Sequence, residues 1–264
     1  GCFAAALDGC FGSQDAALLE PYINNSANKG VLFHTQDEVD AFCKRANRAG
    51  LQIEMHAIGD AAFEQATRGI EAALKDYPRL NHRHTIIHAC LPTENGLDIC
   101  ARNEIGIAAQ SAFINWDLEP DKYVESLIGE RAEKILPLRT MKKKGIHISF
   151  GSDGPCTLPD PILWLHNACN HSVPDQSLTV ADALRVLTYE SAWAGFDEKE
   201  RGTLEVGKIA DMVILSENPH LMPVHELRNL EVKELILGGK PYKGGQSLLS
   251  LAVRSIFAGK GKKI

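Results

Sequence analysis

The sequence of 264 residues has no excess of positive charge and no apolar run long enough to cross a bilayer. Its 28 Lys and Arg against 34 Asp and Glu give a formal net charge of −6, which argues against nucleic-acid binding as the main function. Uncharged apolar runs such as residues 105–116 fall short of the roughly 20 residues that a transmembrane helix needs. We therefore expect neither a nucleic-acid partner nor a membrane-spanning segment.

The sequence also lacks closely paired cysteines, a secretory signal and a nucleotide-binding glycine motif. Its seven cysteines are an odd number without any C-x-x-C pair, which favours a reducing compartment and predicts a cytoplasmic location. The first residues have no basic segment followed by a long apolar one, so no signal peptide is expected. Neither G-x-G-x-x-G nor G-x-x-x-x-G-K-[ST] occurs, so a nucleotide cofactor is not expected.

What the sequence does contain is an alternation of short apolar runs and helical patterns over residues 1–195. With 44% apolar and 23% charged residues, the chain has the composition of a globular protein with a sizeable core. The alternation predicts a parallel α/β sheet, either open or part of a barrel. The predicted strands are 2–7, 51–55, 85–87, 105–109 and 146–150; the predicted helices are 35–49, 60–75, 93–103, 119–144 with a break near Pro137, 161–170 and 180–193.

Capping residues mark several of these helix starts. Thr35 and Glu38 have the spacing of a capping box, while Asp60 and Thr179 are candidate N-caps. After residue 200 the pattern changes to short extended pieces at 201–207, 211–215 and 235–237, followed by the basic tail GKGKKI. We therefore predict a main domain over 1–195 and a small β element with a solvated tail over 196–264.

Three predicted strands lead into side chains that can bind a metal or move a proton. His56 follows 51–55, His88 follows 85–87, and Asp153 lies shortly after 146–150. The carboxyl ends of parallel strands meet at one edge of a sheet, so we expect the three side chains to converge there. A single histidine at a strand end is usually structural, but the combination predicts a metal site that activates water.

Aromatic residues next to this edge are candidates for substrate binding. Phe113 and Trp116 follow the fourth strand, and Trp164 and His166 lie on the helix after Asp153. The alternative is that the aromatic residues belong to the core. His171 is a further candidate for the mouth of the site, whereas His82 and His84, at the other end of their strand, are interpreted as structural or solvated.

Five segments resemble the amidohydrolase superfamily, specifically its third amidohydrolase family, which includes N-substituted formamide deformylases. They are LDGCFGSQDAALLEPY, HAIGD, RHTIIHA, GSDGP and GTLEVGKIADMVIL, in that order along the chain. The resemblance implies a (β/α)₈ barrel with one or two divalent metals and a small β-sandwich. It also implies that His56 and His88 are metal ligands from the fifth and sixth barrel strands. Asp153 would be the eighth-strand aspartate that contacts metal and moves a proton from the attacking water to the leaving nitrogen, and Asp8-Gly9 would follow the fourth strand.

The sequence departs from the family pattern in two places. Members usually carry a lysine four residues before Asp-Gly, where this chain has Ala4, and the H-x-H pair of the first strand is absent. A complete barrel takes about 250 residues, but only five strand–helix units are recognisable here. We therefore predict a partial barrel, the C-terminal part of a longer protein, whose open edges are covered by a missing N-terminal half or by a second copy in a homo-oligomer.

The predicted function is hydrolysis of a non-peptide carbon–nitrogen bond in a small-molecule amide or formamide. Zinc is the default metal because the ligands are imidazole and carboxylate without thiolate, with iron and manganese as alternatives. Two other interpretations stay open. The chain is a catalytically incompetent fragment or remnant of such an enzyme, or it is a deaminase that uses the same residues on an amidine.

Overall fold

The computed structural model describes residues 2–242, without the side chains of residues 2–4. Its strands are β1 (Cys2–Ala6), β2 (Gln52–Ala57), β3 (Thr85–His88), β4 (Gly106–Ala109), β5 (Ile148–Phe150), β6 (Met212–Leu215), β7 (Val232–Leu237) and β8 (Lys240–Pro241). Its α-helices are α1 (Gln36–Arg48), α2 (Asp60–Asp76), α3 (Glu94–Arg102), α4 (Asp121–Ile128), α5 (Leu138–Lys143), α6 (Pro161–Cys169), α7 (Val180–Arg185) and α8 (Ser191–Ala194). No helix in this part of the chain is both long and apolar enough to cross a membrane.

Strands β1 to β5 form one parallel sheet in chain order, which confirms the predicted alternation of strands and helices. Between residues 2 and 242, β1 and β5 each pair on one side only, so the described sheet is open and does not close into a barrel. Cover of these two edges by a second copy or by an N-terminal half stays a prediction.

The two faces of the sheet have different surroundings. Along β2, Ile53, Met55 and Ala57 are buried, whereas Glu54 and His56, which alternate with them, are half-buried. The buried face packs against helices: the Cys43 thiol of α1 lies 3.9 Å from the Met55 sulfur. Each fully buried aliphatic side chain contributes about 1.5–3 kcal/mol of transfer free energy, so this face holds the sheet in place. The other face carries less buried side chains, among them His56, Ile87 and Ala108.

Helix starts follow the capping prediction with one exception. Thr35 and Glu38 form the complete capping box before α1, and the Thr179 hydroxyl accepts the Asp182 N–H before α7. Asp60 is not a cap: Gly59 is the N-cap of α2, and the Asp60 carboxylate accepts the Leu19 N–H at 2.8 Å. The prediction was wrong because Asp60 already belongs to the first helical turn, where its side chain is free to hold the preceding loop.

Two predicted helices are interrupted. Residues 119–144 contain α4, a 3₁₀ segment over Gly129–Lys134 and α5, because Gly129, with φ 63°, ends α4 before Pro137 is reached. Residues 180–193 contain α7, a π-helical turn over Val186–Glu190 and the start of α8.

The C-terminal β element is a three-stranded antiparallel sheet in the order β6-β7-β8. The predicted extended piece at 201–207 is wrong: it consists of turns, with left-handed backbone at Gly202 (φ 88°) and Gly207 (φ 97°). The buried side chains Leu227 and Leu230 join the main hydrophobic core. The basic tail GKGKKI lies outside the described residues, and the boundary at 195/196 stays a prediction.

Candidate functional site

The structure brings His56 and His88 together at the carboxyl edge of the sheet. Their ring centroids are 4.5 Å apart in an edge-to-face arrangement. His88 pairs in register with Ala57, whose side chain is buried on the helix-covered face, so a regular strand would carry His88 away from His56. Left-handed backbone at His88 (φ 71°) and Ala89 (φ 48°) interrupts this alternation at the end of β3. A strained conformation at two consecutive non-glycine residues is a feature of functional sites.

Hydrogen bonds to Gln110 select the tautomer of His88. The Gln110 amide nitrogen donates to the Ala108 carbonyl at 3.1 Å, so its oxygen faces His88 and accepts from Nδ1 at 2.7 Å. Burial lowers the pKa of His88, and neighbouring His56 lowers it further, while the Asp153 charge opposes them. A neutral imidazole with its proton on Nδ1 keeps a lone pair on Nε2, which is what a metal ligand requires.

Asp8 lies beside Nδ1 of His56, as Gln110 lies beside Nδ1 of His88. The carboxylate is buried and accepts three backbone N–H groups, those of Ala17, Ile58 and Gly59, at 2.8–3.0 Å. Its Oδ1 lies 3.2 Å from His56 Nδ1, although the two atoms lack hydrogen-bond geometry and Nδ1 is buried without a partner. A small rotation of the His56 ring would form the bond, because the carboxylate is already held in place by the backbone.

Asp153 follows β5 as predicted, in left-handed backbone (φ 53°) on an exposed loop. Its charge raises the pKa of His88, so it lies close enough to act on that ring. However, no three His, Cys, Asp or Glu side chains within residues 2–242 are grouped closely enough to hold a metal ion. Two imidazoles with oriented Nδ1 atoms and free Nε2 atoms fit a divalent cation, but a third ligand is not assembled around them.

Sequence reasoning missed Gln110 as a functional residue, and it placed Asp8 only through the family resemblance. Gln110 directly follows β4, so the strand-end criterion that selected His56 and His88 also selects it. A neutral amide neither binds zinc well nor moves protons, so a search for metal ligands and bases alone does not find it. Asp8 stands two residues after β1, and its role beside His56 depends on the register between β1 and β2.

Aromatic rings extend from the histidine pair. Phe113 stacks on His88 at 5.8 Å, and Trp116 stacks on Phe113 at 4.8 Å, each with an interplanar angle of 15°. Trp164 lies nearby: its carbonyl accepts the Ser111 hydroxyl, and its indole Nε1 is buried without a hydrogen-bond partner in the described chain. The structure thus connects Trp116 to the histidines, and substrate contact by Trp116 and Trp164 stays a prediction.

His166 faces a different part of the molecule. Its Nδ1 lies 3.2 Å from the Asn170 amide nitrogen, and its pKa is lowered by burial and by the charges of Arg228 and His225. These neighbours assign His166 to the contact between α6 and the segment Val224–Asn229. Its predicted role in substrate binding gains no support from this position and stays a prediction.

A cavity of about 320 Å³ opens beside the aromatic rings. Phe113, Trp116 and Phe11 form part of its wall, together with the Cys90 thiol and His171. His171 follows α6 rather than belonging to it, and lines the cavity as anticipated. The Phe113 ring contacts His88 and also lines this space, so Phe113 separates the cavity from His88 by the thickness of one ring.

A model of the amidohydrolase family matches residues 2–242. The amidohydrolase YtcJ of Bacillus subtilis is 30% identical over 244 residues, covering 88% of this chain and 45% of the relative. The N-substituted formamide deformylase of Arthrobacter pascens is 26% identical over 228 residues, covering 80% of this chain and 40% of the relative. The chain therefore spans less than half the length of these two relatives.

Among solved structures, a metal-dependent hydrolase of Pyrococcus horikoshii superposes with a TM-score of 0.73 at 26% sequence identity. The match covers 84% of this chain and 45% of the Pyrococcus chain. The same fold therefore extends over most of the described residues.

Proposed function

Because the chain belongs to the third amidohydrolase family of the amidohydrolase superfamily, we propose that it hydrolyses a carbon–nitrogen bond of a small-molecule amide or formamide. The observation that carries the proposal is the pairing of His56 and His88, with their ring centroids 4.5 Å apart at the carboxyl edge of a parallel sheet. The Arthrobacter relative, described as a formamide deformylase, supports the formamide group as a candidate substrate.

In this proposal the Nε2 atoms of His56 and His88 hold a divalent metal, with zinc as the first choice. When bound, the metal supplies Lewis acidity toward the carbonyl oxygen and toward water. Gln110 holds the His88 ring by Nδ1, and the Asp8 carboxylate stands 3.2 Å from Nδ1 of His56. Such outer partners would orient the two ligands before a metal binds.

Asp153 is the proposed proton carrier. A carboxylate oxygen of Asp153 accepts a proton from the attacking water and returns it to the leaving nitrogen, so that the amine departs neutral. Its exposed loop gives it access to solvent, and its effect on the pKa of His88 supports its closeness to the pair. Asp153 is also the first candidate for the third metal ligand.

A second candidate is an inactive member of the family. It is supported by the absence of a three-ligand group in residues 2–242 and by Ala4 at the position of the family's usual lysine. Measurements of zinc content and of formamide hydrolysis separate the two proposals, because an inactive chain neither binds zinc stoichiometrically nor hydrolyses a formamide.

The test is zinc content and formamide hydrolysis of the purified chain. We expect one weakly held zinc per chain and release of formate from N-benzylformamide, and we expect the double variant His56→Ala plus His88→Ala to lose both. His220→Ala is the matched control, because that imidazole is exposed. Equal zinc content and equal turnover in the double variant would contradict the proposal. Ammonia release from an amidine without formamide hydrolysis would indicate a deaminase instead.

A further inference from the structure

The cavity beside the histidine pair carries charge of one sign only. Neither lysine nor arginine is present among the described residues that line it, whereas five carboxylates are: Glu119, Asp121, Glu125, Glu130 and Glu133. Glu119 and Asp121 are half-buried, and the other three stand at the exposed rim. Carboxylates that line a concave space reinforce one another's field and raise the local concentration of cations.

Nothing else in the wall offsets this negative charge. His171 has both ring nitrogens engaged: Nδ1 accepts the Val173 N–H at 3.0 Å, and Nε2 is 3.1 Å from the Leu136 carbonyl. Burial lowers the pKa of His171, so at neutral pH the ring is uncharged. Cys90 adds no positive charge either, because a cysteine side chain is either a neutral thiol or an anionic thiolate.

Two further features of the wall point to a ligand. Phe113 is stacked between His88 and Trp116, so Trp116 is the ring that can present a face to the cavity, and the face of an aromatic ring attracts a cation. The Cys90 side chain lines the same space, is only 4% exposed, and has no hydrogen-bond partner in the described chain. An unpartnered polar group at the inner end of a cavity is available to a ligand.

Glu119 is the carboxylate best placed to hold a charge deep in the cavity. Its Oε1 accepts the Gly12 N–H at 2.7 Å, which orients the side chain and leaves Oε2 without a partner in the described residues. Glu119 is half-buried, whereas Glu125, Glu130 and Glu133 are exposed, so its carboxylate is better shielded from solvent than those at the rim.

We propose that this cavity binds a positively charged group of the substrate, an ammonium or a quaternary ammonium, between the Trp116 ring and the Glu119 carboxylate. The substrate of the proposed hydrolase is then an amide or formamide with a cationic substituent. This assignment rests on the proposed function, since Phe113 connects the cavity to His88 and so to the bond to be broken.

The test compares two probes of the same shape, phenyltrimethylammonium and its neutral isostere tert-butylbenzene. Their dissociation constants for the full chain are measured by ligand-observed NMR in the presence of EDTA, so that binding is independent of metal. We expect the cation to bind about tenfold more tightly than the isostere, the size of a desolvated cation–π contact assisted by a carboxylate.

Glu119→Gln keeps the acceptor for Gly12 N–H and should remove most of this preference, and Trp116→Leu should weaken cation binding similarly. Glu217→Gln, an exposed carboxylate outside the cavity, is the control.

Equal affinity for the two probes, or an unchanged preference in Glu119→Gln, would overturn the inference without touching the proposed function. A second measurement joins the two proposals. With zinc added, the formamide of 4-(trimethylammonio)benzylamine should be hydrolysed with a kcat/KM about tenfold above that of the 4-tert-butyl analogue. Cation binding with equal hydrolysis of both formamides would overturn the substrate assignment. Cation binding with hydrolysis of neither would overturn the proposed function and the substrate assignment together, leaving a cation site.

Discussion

Two pairs of histidines lie at opposite ends of β3, with similar spacing and different surroundings. The His56 and His88 rings are 4.5 Å apart at the carboxyl end, and the His82 and His84 rings are 4.3 Å apart at the amino end. In the second pair every ring nitrogen has a partner within the protein. The partners are the Ile53 N–H and the Asn47 amide oxygen for His84, and the His84 N–H and the Asn103 carbonyl for His82.

The first pair differs in which nitrogens are occupied. Gln110 engages Nδ1 of His88, Asp8 stands beside Nδ1 of His56, and neither Nε2 has a hydrogen-bond partner in the described chain. Closeness of two imidazoles is therefore a weak sign of a metal site, because a structural pair shows it equally well. Neighbouring imidazole nitrogens whose lone pairs have no partner in the protein are the stronger sign of a metal site.

The largest expected contrast is between His88→Ala and His84→Ala. His88→Ala should weaken zinc binding by more than about 100-fold, because loss of a ligand exceeds the loss of an outer partner. His84→Ala should leave zinc binding unchanged and lower the free energy of unfolding by about 2–4 kcal/mol, since the Ile53 N–H and the Asn47 amide oxygen lose their buried partner. Zinc titration and urea denaturation of both variants check this. If His84→Ala lost zinc binding as fully as His88→Ala, the assignment of zinc binding to the carboxyl-end pair alone would be wrong.

The amino-end pair should also make stability depend on pH. Burial, assisted by the charges of His82 and Arg79, lowers the pKa of His84 from 6.5 to about 3. The unfolded chain therefore binds more protons between these values, so stability is complete above pH 6.5 and falls as the pH drops below it. At pH 5 the loss from His84 alone is about 2 kcal/mol. Urea denaturation at pH 7 and pH 5 should show this loss in the wild type and a smaller one in His84→Gln; equal losses would contradict it.

The smallest effect is expected from the outer partner of His88. Gln110→Leu removes the acceptor for Nδ1 and should weaken zinc binding about tenfold while the fold is kept. Gln110→Glu retains an acceptor at the same position and should restore most of the affinity. The two variants are compared by competition with a zinc-sensitive dye. If Gln110→Leu and Gln110→Glu weaken zinc binding equally, the hydrogen bond between Gln110 and His88 Nδ1 does not orient His88 as a zinc ligand.

Particular residues show how far sequence reasoning extended. The strand-end rule located His56 and His88, because both follow directly from apolar runs that must lie in a buried sheet. It could not show that His88 turns back toward His56, since the left-handed backbone there falls on residues other than glycine. The helix that carries His166 was also predicted, but which neighbour its side chain meets depends on how α6 packs against 224–229.

By itself, the sequence determined the alternation of strands and helices, the capping of α1 by Thr35, and the placement of chemically competent side chains at strand ends. These features depend on periodicity and on neighbours a few residues apart. The tertiary structure alone decided which imidazole nitrogens are free and which are used. Their partners, such as Asn47 for His84 and Gln110 for His88, come from elements far away in the chain. Such contacts form only when the whole sheet and its helices are packed.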